Sequence, residues 1–171
     1  MKKIITIIGA TSVGKTDLAI RIAEIINGEI IGLDSRQIYN YMPIGTAQPT
    51  EHERQNIKHH LIGIREPWDS VSAGEYAKMV IKKVNTIMKK GSVPIICGGA
   101  GLYYRAITKG IFSESHTDIV IRQKLENKYM EDSNSLMLRL KEIDPVYAKI
   151  VHINNKKRLI RALEIFELTG T

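Results

Sequence analysis

Gly9-Ala10-Thr11-Ser12-Val13-Gly14-Lys15-Thr16 decides how the rest of this chain is read. The octapeptide satisfies G-x-x-x-x-G-K-[ST] in full. It follows the apolar run Ile4-Ile5-Thr6-Ile7-Ile8 and leads into a helix-compatible stretch from Asp17 to Asn27. Strand, glycine-rich turn and helix start therefore occur in the order a P-loop needs. Glycines let the backbone curl until successive N–H groups face an anion, and the helix N-terminus adds partial positive charge. Gly9 to Thr16 is expected to cradle a diphosphate or a nucleotide such as ATP, with Lys15 on the terminal phosphates. The Thr16 hydroxyl is expected to ligate Mg²⁺. The loop specifies phosphate binding and leaves the reaction open.

Outward from the loop, apolar runs and helical patterns alternate, which predicts a parallel sheet with crossover helices. Ile4–Ile8 reads as the first strand, Glu29–Leu33 as the second, Leu61–Ile64 as a third and Val93–Cys97 as a buried fourth. Ser72 with Glu75 three residues on is a capping box, opening a helix that runs to about Lys90 and stops at Gly91. After about residue 113 only helical segments follow: Asp118–Met130, Ser135–Ile143, Pro145–Val151 and Asn155–Leu168, with Gly170 as a stop. The expected division is a P-loop α/β core over 1–113 and an all-helical insertion over 114–171.

A chain of 171 residues has room for such a core with an excursion. No apolar run approaches the about 20 residues of a membrane span, and Met1-Lys2-Lys3 with its short apolar sequel is no signal peptide. The single cysteine, Cys97, excludes an internal disulfide framework and fits a reducing cytosol, so a cytoplasmic location is expected, and a monomer is expected as well. A formal net charge of +7 suits a polyanionic partner.

Further constellations accompany the loop. Asp34-Ser35-Arg36-Gln37-Ile38-Tyr39 follows the second strand, so Asp34 should open onto the same crevice as the loop. There it serves as metal ligand or general base, or as an Asx cap of its own turn. Ile44-Gly45-Thr46-Ala47-Gln48-Pro49 reads as a loop, and His59-His60, lacking a third ligand at metal-like spacing, as structural. Gly98-Gly99-Ala100-Gly101-Leu102-Tyr103 leaves a buried strand and opens a helix. Lys156, Lys157, Arg158 and Arg161 crowd the start of the last long helix. Basic charge there opposes the macrodipole by a few tenths of a kcal/mol, which points to an anionic partner.

With GATSVGKT (9–16), DSRQIY (34–39), IGTAQP (44–49), GGAGLY (98–103) and NNKKRLIRALEIFELTG (154–170) in this order, the chain resembles the tRNA dimethylallyltransferase (isopentenyltransferase) family. That resemblance implies transfer of a dimethylallyl group from dimethylallyl diphosphate to N6 of the adenosine 3′-adjacent to the anticodon of tRNA. Thr11 to Thr16 would hold the diphosphate, Thr16 would hold Mg²⁺ and Asp34 would accept the N6 proton. Ser35, Arg36, Gln37 and the position of Ala100 would meet the extruded adenine. Arg122, Lys157, Arg158, Leu159, Ile160 and Arg161 would meet the anticodon stem-loop. The family carries proline where Ala10 stands, threonine where Ala100 stands, proline where Ile153 stands and aspartate where Asn155 stands. Its members also continue beyond this length, returning to the sheet with a catalytic arginine, so the C-terminal part of the core is expected to be missing here. Three other readings stay open: a P-loop kinase, a shortened non-catalytic RNA- or nucleotide-binding chain, and a prenyltransferase of free adenine nucleotides.

Overall fold

The computed structural model describes residues 4–110 and 117–170, without the side chain of Gln55. The chain divides into two compact units, Met1–Ile111 and Phe112–Thr171. The boundary expected at 113–114 lies outside the described residues.

In the first unit, β1 (Ile5–Ile8), α1 (Lys15–Ile26), β2 (Gly28–Leu33), α2 (Glu51–Asn56), β3 (His59–His60), α3 (Ala73–Lys89), β4 (Val93–Gly98) and α4 (Gly101–Lys109) follow one another. The strands form a parallel sheet in the order β1-β4-β2-β3. Near-continuous apolar runs make β2 and β4 suited to burial on both faces, and Ile31, Leu33, Ile95 and Ile96 are buried. One face packs on α3 through Tyr76, Val80, Val84 and Ile87, the other on α1 through Ala19 and Ala23. This is the α/β architecture expected of a P-loop protein.

Register decides where the site falls. Ile8 pairs with Gly98 and Leu33 pairs with Gly98, so three strands end at one level of the sheet. A Cβ at Gly98 would lie 2.1 Å from the Leu33 carbonyl oxygen, which only glycine allows. That oxygen also accepts the N–H groups of Gly99 and Ala100, both at 3.1 Å. The segments leaving β1, β2 and β4 thus emerge together.

Two local expectations are corrected. The third strand is His59–His60, not Leu61–Ile64. Leu61 turns into the left-handed region at φ 60, and Gly63 follows at φ 57. Leu61 and Ile62 are still buried, but in a turn whose Gly63 and Ile64 N–H groups bond the carbonyls of Gln37 and Ile38. At α3, Ser72 Oγ accepts the Glu75 N–H at 3.1 Å, whereas the Glu75 carboxylate pairs with Arg65 instead of returning to the cap. A full capping box occurs at α2, between Thr50 and Glu53, and opens a helix that the expected element order lacked.

The second unit consists of α5 (Ile119–Glu131), α6 (Ser133–Ile143), α7 (Pro145–Ala148) and α8 (Lys156–Thr169). Asp118, Asp132, Asp144 and Asn155 cap these helices through side-chain oxygens, and Gly170 ends the last at φ 75. Leu125, Leu136, Leu140, Leu159 and Leu163 form its core.

Candidate active site

Gly14 at φ 80 and Ser12 at φ 64 turn the chain between β1 and α1. The first backbone bond of α1 runs from Leu18 N–H to the Gly14 carbonyl at 3.1 Å. The N–H groups of Lys15, Thr16 and Asp17 therefore have no acceptor within the helix and are available to an anion. The Lys15 ammonium donates to the Ala10 carbonyl, a contact that a phosphate would compete for.

Across from this turn, Asp34 leaves β2. Its Oδ1 accepts the backbone N–H of Arg36 at 2.7 Å and of Gln37 at 3.3 Å. The Asx turn and the site-facing carboxylate are thus one arrangement: a single oxygen fixes the turn, and none of the described hydrogen bonds uses Oδ2. Asp34 and the phosphate turn line one cleft of about 300 Å³. Thr11, Ser12, Gly14, Lys15, Thr16 and Gln37 share that lining. Of the remaining expected site residues of this unit, Gly9, Ala10, Val13, Ser35, Arg36 and Ala100 lie outside it. Ser35 and Arg36 are exposed, and Ala100 packs against the hydrophobic core.

Several contributors were missed from sequence. Thr46 and Ala47 line the cleft, held there because the Gln37 side-chain amide donates to their carbonyls at 3.2 and 2.7 Å. Glu53 reaches the cleft from α2, its pKa lowered chiefly by the Thr50 hydrogen bond. Cys97 lines it as well, and burial pushes its thiol pKa up, so it is poorly suited to act as a nucleophile. The pattern Thr50-x-x-Glu53 was a readable capping signal; Thr46 and Ala47 lie in the IGTAQP string, and nothing local assigned them or Cys97 to the cleft.

The histidine pair is structural. His60 Nε2 bonds Glu29 at 2.6 Å, and His59 Nδ1 bonds the Ile57 carbonyl at 2.7 Å. Burial is the largest influence on both rings and lowers their pKa.

In the helical unit, Lys157 and Arg158 are exposed at the start of α8. Lys156 lies 5.7 Å from the centre of the Tyr129 ring, a cation–π contact. Leu159 and Ile160 are corrected from the expected RNA contacts, since at 0% and 3% exposure they belong to the core. Their apolar side chains follow the buried stripe of α8, while Lys157 and Arg158 are exposed. Arg122 and Arg161 both pair with Glu164 at 2.7 Å.

The IPP transferase family model matches residues 37–171. The chain belongs to the IPP transferase family. The phosphate turn and Asp34 precede the matched region, so they stand on their own geometry. Among curated relatives, the tRNA dimethylallyltransferase of Thermodesulfovibrio yellowstonii is 44% identical over 96% of this chain and 52% of its own length. That of Acetivibrio thermocellus is 45% identical over 99% and 55%. This IPP transferase family member thus spans about half the length of the curated relatives it matches. A solved eukaryotic dimethylallyltransferase acting on tRNA superposes with a TM-score of 0.83 at 29% identity, covering 100% of this chain and 43% of that one. The full-length tRNA isopentenylpyrophosphate transferase of Bacillus halodurans gives a TM-score of 0.65 at 37% identity, over 100% and 57%. No helix among the described residues is long and apolar enough to cross a membrane.

Proposed function

We propose that the cleft transfers a dimethylallyl group from dimethylallyl diphosphate to N6 of the adenosine 3′-adjacent to the anticodon in tRNA. The observation that carries this reading is the sharing of one cleft by the phosphate turn and Asp34. The names of the relatives supply the reaction class.

The N–H groups of Lys15, Thr16 and Asp17, with the Lys15 ammonium, receive the diphosphate and stabilise the charge that grows as it departs. The N6 lone pair forms the new C–N bond at the allylic carbon while the C–O bond to diphosphate breaks. Asp34 Oδ2 accepts the N6 proton, which offsets the poor nucleophilicity of an aryl amine. Thr46 and Ala47, tied down by Gln37, wall the cleft beside the carboxylate. An unpaired loop base suits such a cleft, because extrusion from a duplex costs more.

The residues present fit Mg²⁺. Thr16, Asp17, Asp34 and Glu53 bring oxygen donors to the cleft, and no group of three His, Cys, Asp or Glu among the described residues is gathered to hold an ion alone. Thr16 would hold the ion together with phosphate oxygens and water, and the ion would neutralise diphosphate charge. By the same reading, Arg36 and Ser35 lie at the adenine entrance, and Lys157 and Arg158 take the stem-loop.

Incubation of the chain with isotope-labelled dimethylallyl diphosphate and an anticodon stem-loop tests the reading. Base-stable label on the RNA is the expected result, and Asp34→Asn should abolish it while leaving diphosphate binding nearly intact. ATP-dependent phosphorylation would replace this reading with a kinase, and binding without transfer would make the chain a non-catalytic binder.

A further inference from the structure

Glu164 is a charged residue with 0% exposure, set among the apolar residues Ile160 and Leu163 of α8. Its Oε2 accepts Arg122 Nη2 and Arg161 Nη1, each at 2.7 Å, and its Oε1 accepts the Asp118 N–H at 3.2 Å. Asp118 in turn caps α5 through the N–H groups of Val120 and Ile121. One carboxylate therefore fixes the first turn of α5 and two guanidinium groups at once. Both bonded nitrogens share a single oxygen, so they lie no further apart than twice 2.7 Å. Without the carboxylate, two like charges so close would repel and splay.

The Arg122 and Arg161 side chains remain 39% and 28% exposed, although the carboxylate that they share has no exposure. Arg161 stands one turn along α8 from the exposed Lys157 and Arg158. Burying a carboxylate with two arginines gives little stability over a well-packed apolar residue, so the arrangement needs another reason. A guanidinium held in one orientation loses less freedom when it binds phosphate.

We infer that Glu164 is a positioning residue for RNA recognition: it holds Arg122 and Arg161 side by side as a fixed pair for the phosphate backbone. This rests on the RNA-binding reading of the helical unit. The partner is a polyanionic chain with closely spaced phosphates, and Glu164 acts on it only through the arginines.

Charge makes the test decisive. Glu164→Gln adds one unit of positive charge, so if the acid merely neutralised its surroundings, RNA would bind more tightly with a steeper salt dependence. Positioning gives the opposite sign. Anisotropy of a labelled anticodon stem-loop, titrated with the full chain at several salt concentrations, should show Glu164→Gln binding roughly tenfold more weakly, with a log–log salt slope shallower by up to about two units. Arg158→Ala in the same series should reduce the slope by about one unit. Where Glu164→Gln does not fold by circular dichroism, Glu164→Asp answers instead. It keeps the charge but draws the carboxylate back by one methylene, and weaker binding with a shallower slope is again expected. Equal or tighter binding with an unchanged or steeper slope in either folded variant overturns the inference and leaves the RNA-binding reading standing. Failure of the unsubstituted chain to bind the stem-loop takes down both.

Discussion

The cleft of the α/β unit and the charge cluster of the helical unit are built by opposite means. In the cleft, backbone does most of the holding: Leu33 O accepts from Gly99 and Ala100, Asp34 accepts from its own turn, and the first N–H groups of α1 have no acceptor within the helix. In the helical unit one buried side chain, Glu164, organises Arg122, Arg161 and Asp118. A backbone-built site depends on where side chains are missing. A side-chain-built one depends on where a charge is buried.

The largest expected effect breaks the backbone side of this contrast. Gly98→Ala would place a Cβ 2.1 Å from the Leu33 carbonyl oxygen and 2.5 Å from its carbon, so β2 and β4 must part. Stability should fall by more than about 3 kcal/mol, and phosphate binding with it. Gly74→Ala is the control: it lies in the first turn of α3 with nothing within 4 Å, and should stabilise by roughly 0.5–1 kcal/mol. Urea denaturation of both variants, read with binding of inorganic diphosphate, checks the pair. Similar denaturation midpoints for the two would show that glycine at 98 is not what sets the cleft.

Next in size is Leu159→Ala, which separates packing from recognition in the helical unit. Leu159 has no exposure and packs with Leu136, Leu140 and Leu163. A loss of about 2–5 kcal/mol is expected by the same denaturation measurement. The salt slope of RNA binding, measured where the variant remains folded, should equal that of the unsubstituted chain. A reduced slope would return Leu159 to the RNA surface.

Legibility follows the same division. The P-loop, Asp34 and the glycines after β4 could be read because their chemistry is local: a turn that needs glycine, or an acid at a strand end, shows itself in a few adjacent letters. Even so, Gly98 needed the register with Leu33 before its role was visible. Gln37 was read only as a base contact, and its amide also ties down Thr46 and Ala47, nine and ten residues away. Leu159 and Ile160 were misplaced because a basic string was taken whole, although α8 buries this adjacent pair together with Leu163 and Glu164 one turn on. Glu164 was passed over altogether. Its partner Arg122 is 42 residues distant, a separation that no motif or periodicity spans.

A pH series sharpens the charge side of the comparison. Burial tends to raise the Glu164 pKa, but hydrogen bonds from Arg161 and Arg122 outweigh it, and the carboxyl is held below its ordinary 4.5. A depressed acid contributes stability that is fully present above 4.5 and is lost as pH falls through its lower native value. Glu53, depressed chiefly by Thr50, has the same sign. Thermal unfolding followed from pH 7 down to about pH 3 should therefore show a decline below 4.5 that is smaller in Glu164→Gln. Parallel curves for the two proteins would mean that the Arg–Glu–Arg cluster contributes nothing to acid sensitivity.

The smallest effect lies where the α/β unit bends its backbone without glycine. Gly14, Gly63 and Gly91 take positive φ at no steric cost, whereas Tyr41 sits at φ 62 and is 79% exposed. The bonds around it are made by its neighbour: Asn40 N–H to the Arg65 carbonyl at 2.7 Å, and the Asn40 amide to Glu66 at 3.1 Å. Because these contacts bypass the tyrosine ring, Tyr41→Gly should relieve left-handed strain of about 1–2 kcal/mol without removing a core contact. The freer unfolded glycine takes back part of that gain. A net stabilisation of about 0.5–1 kcal/mol in urea is expected. Destabilisation of similar size would mean that the exposed ring packs against the loop strongly enough to outweigh its backbone strain. In that case the loop beside the cleft would be held by a side chain, as in the helical unit, and not by backbone alone.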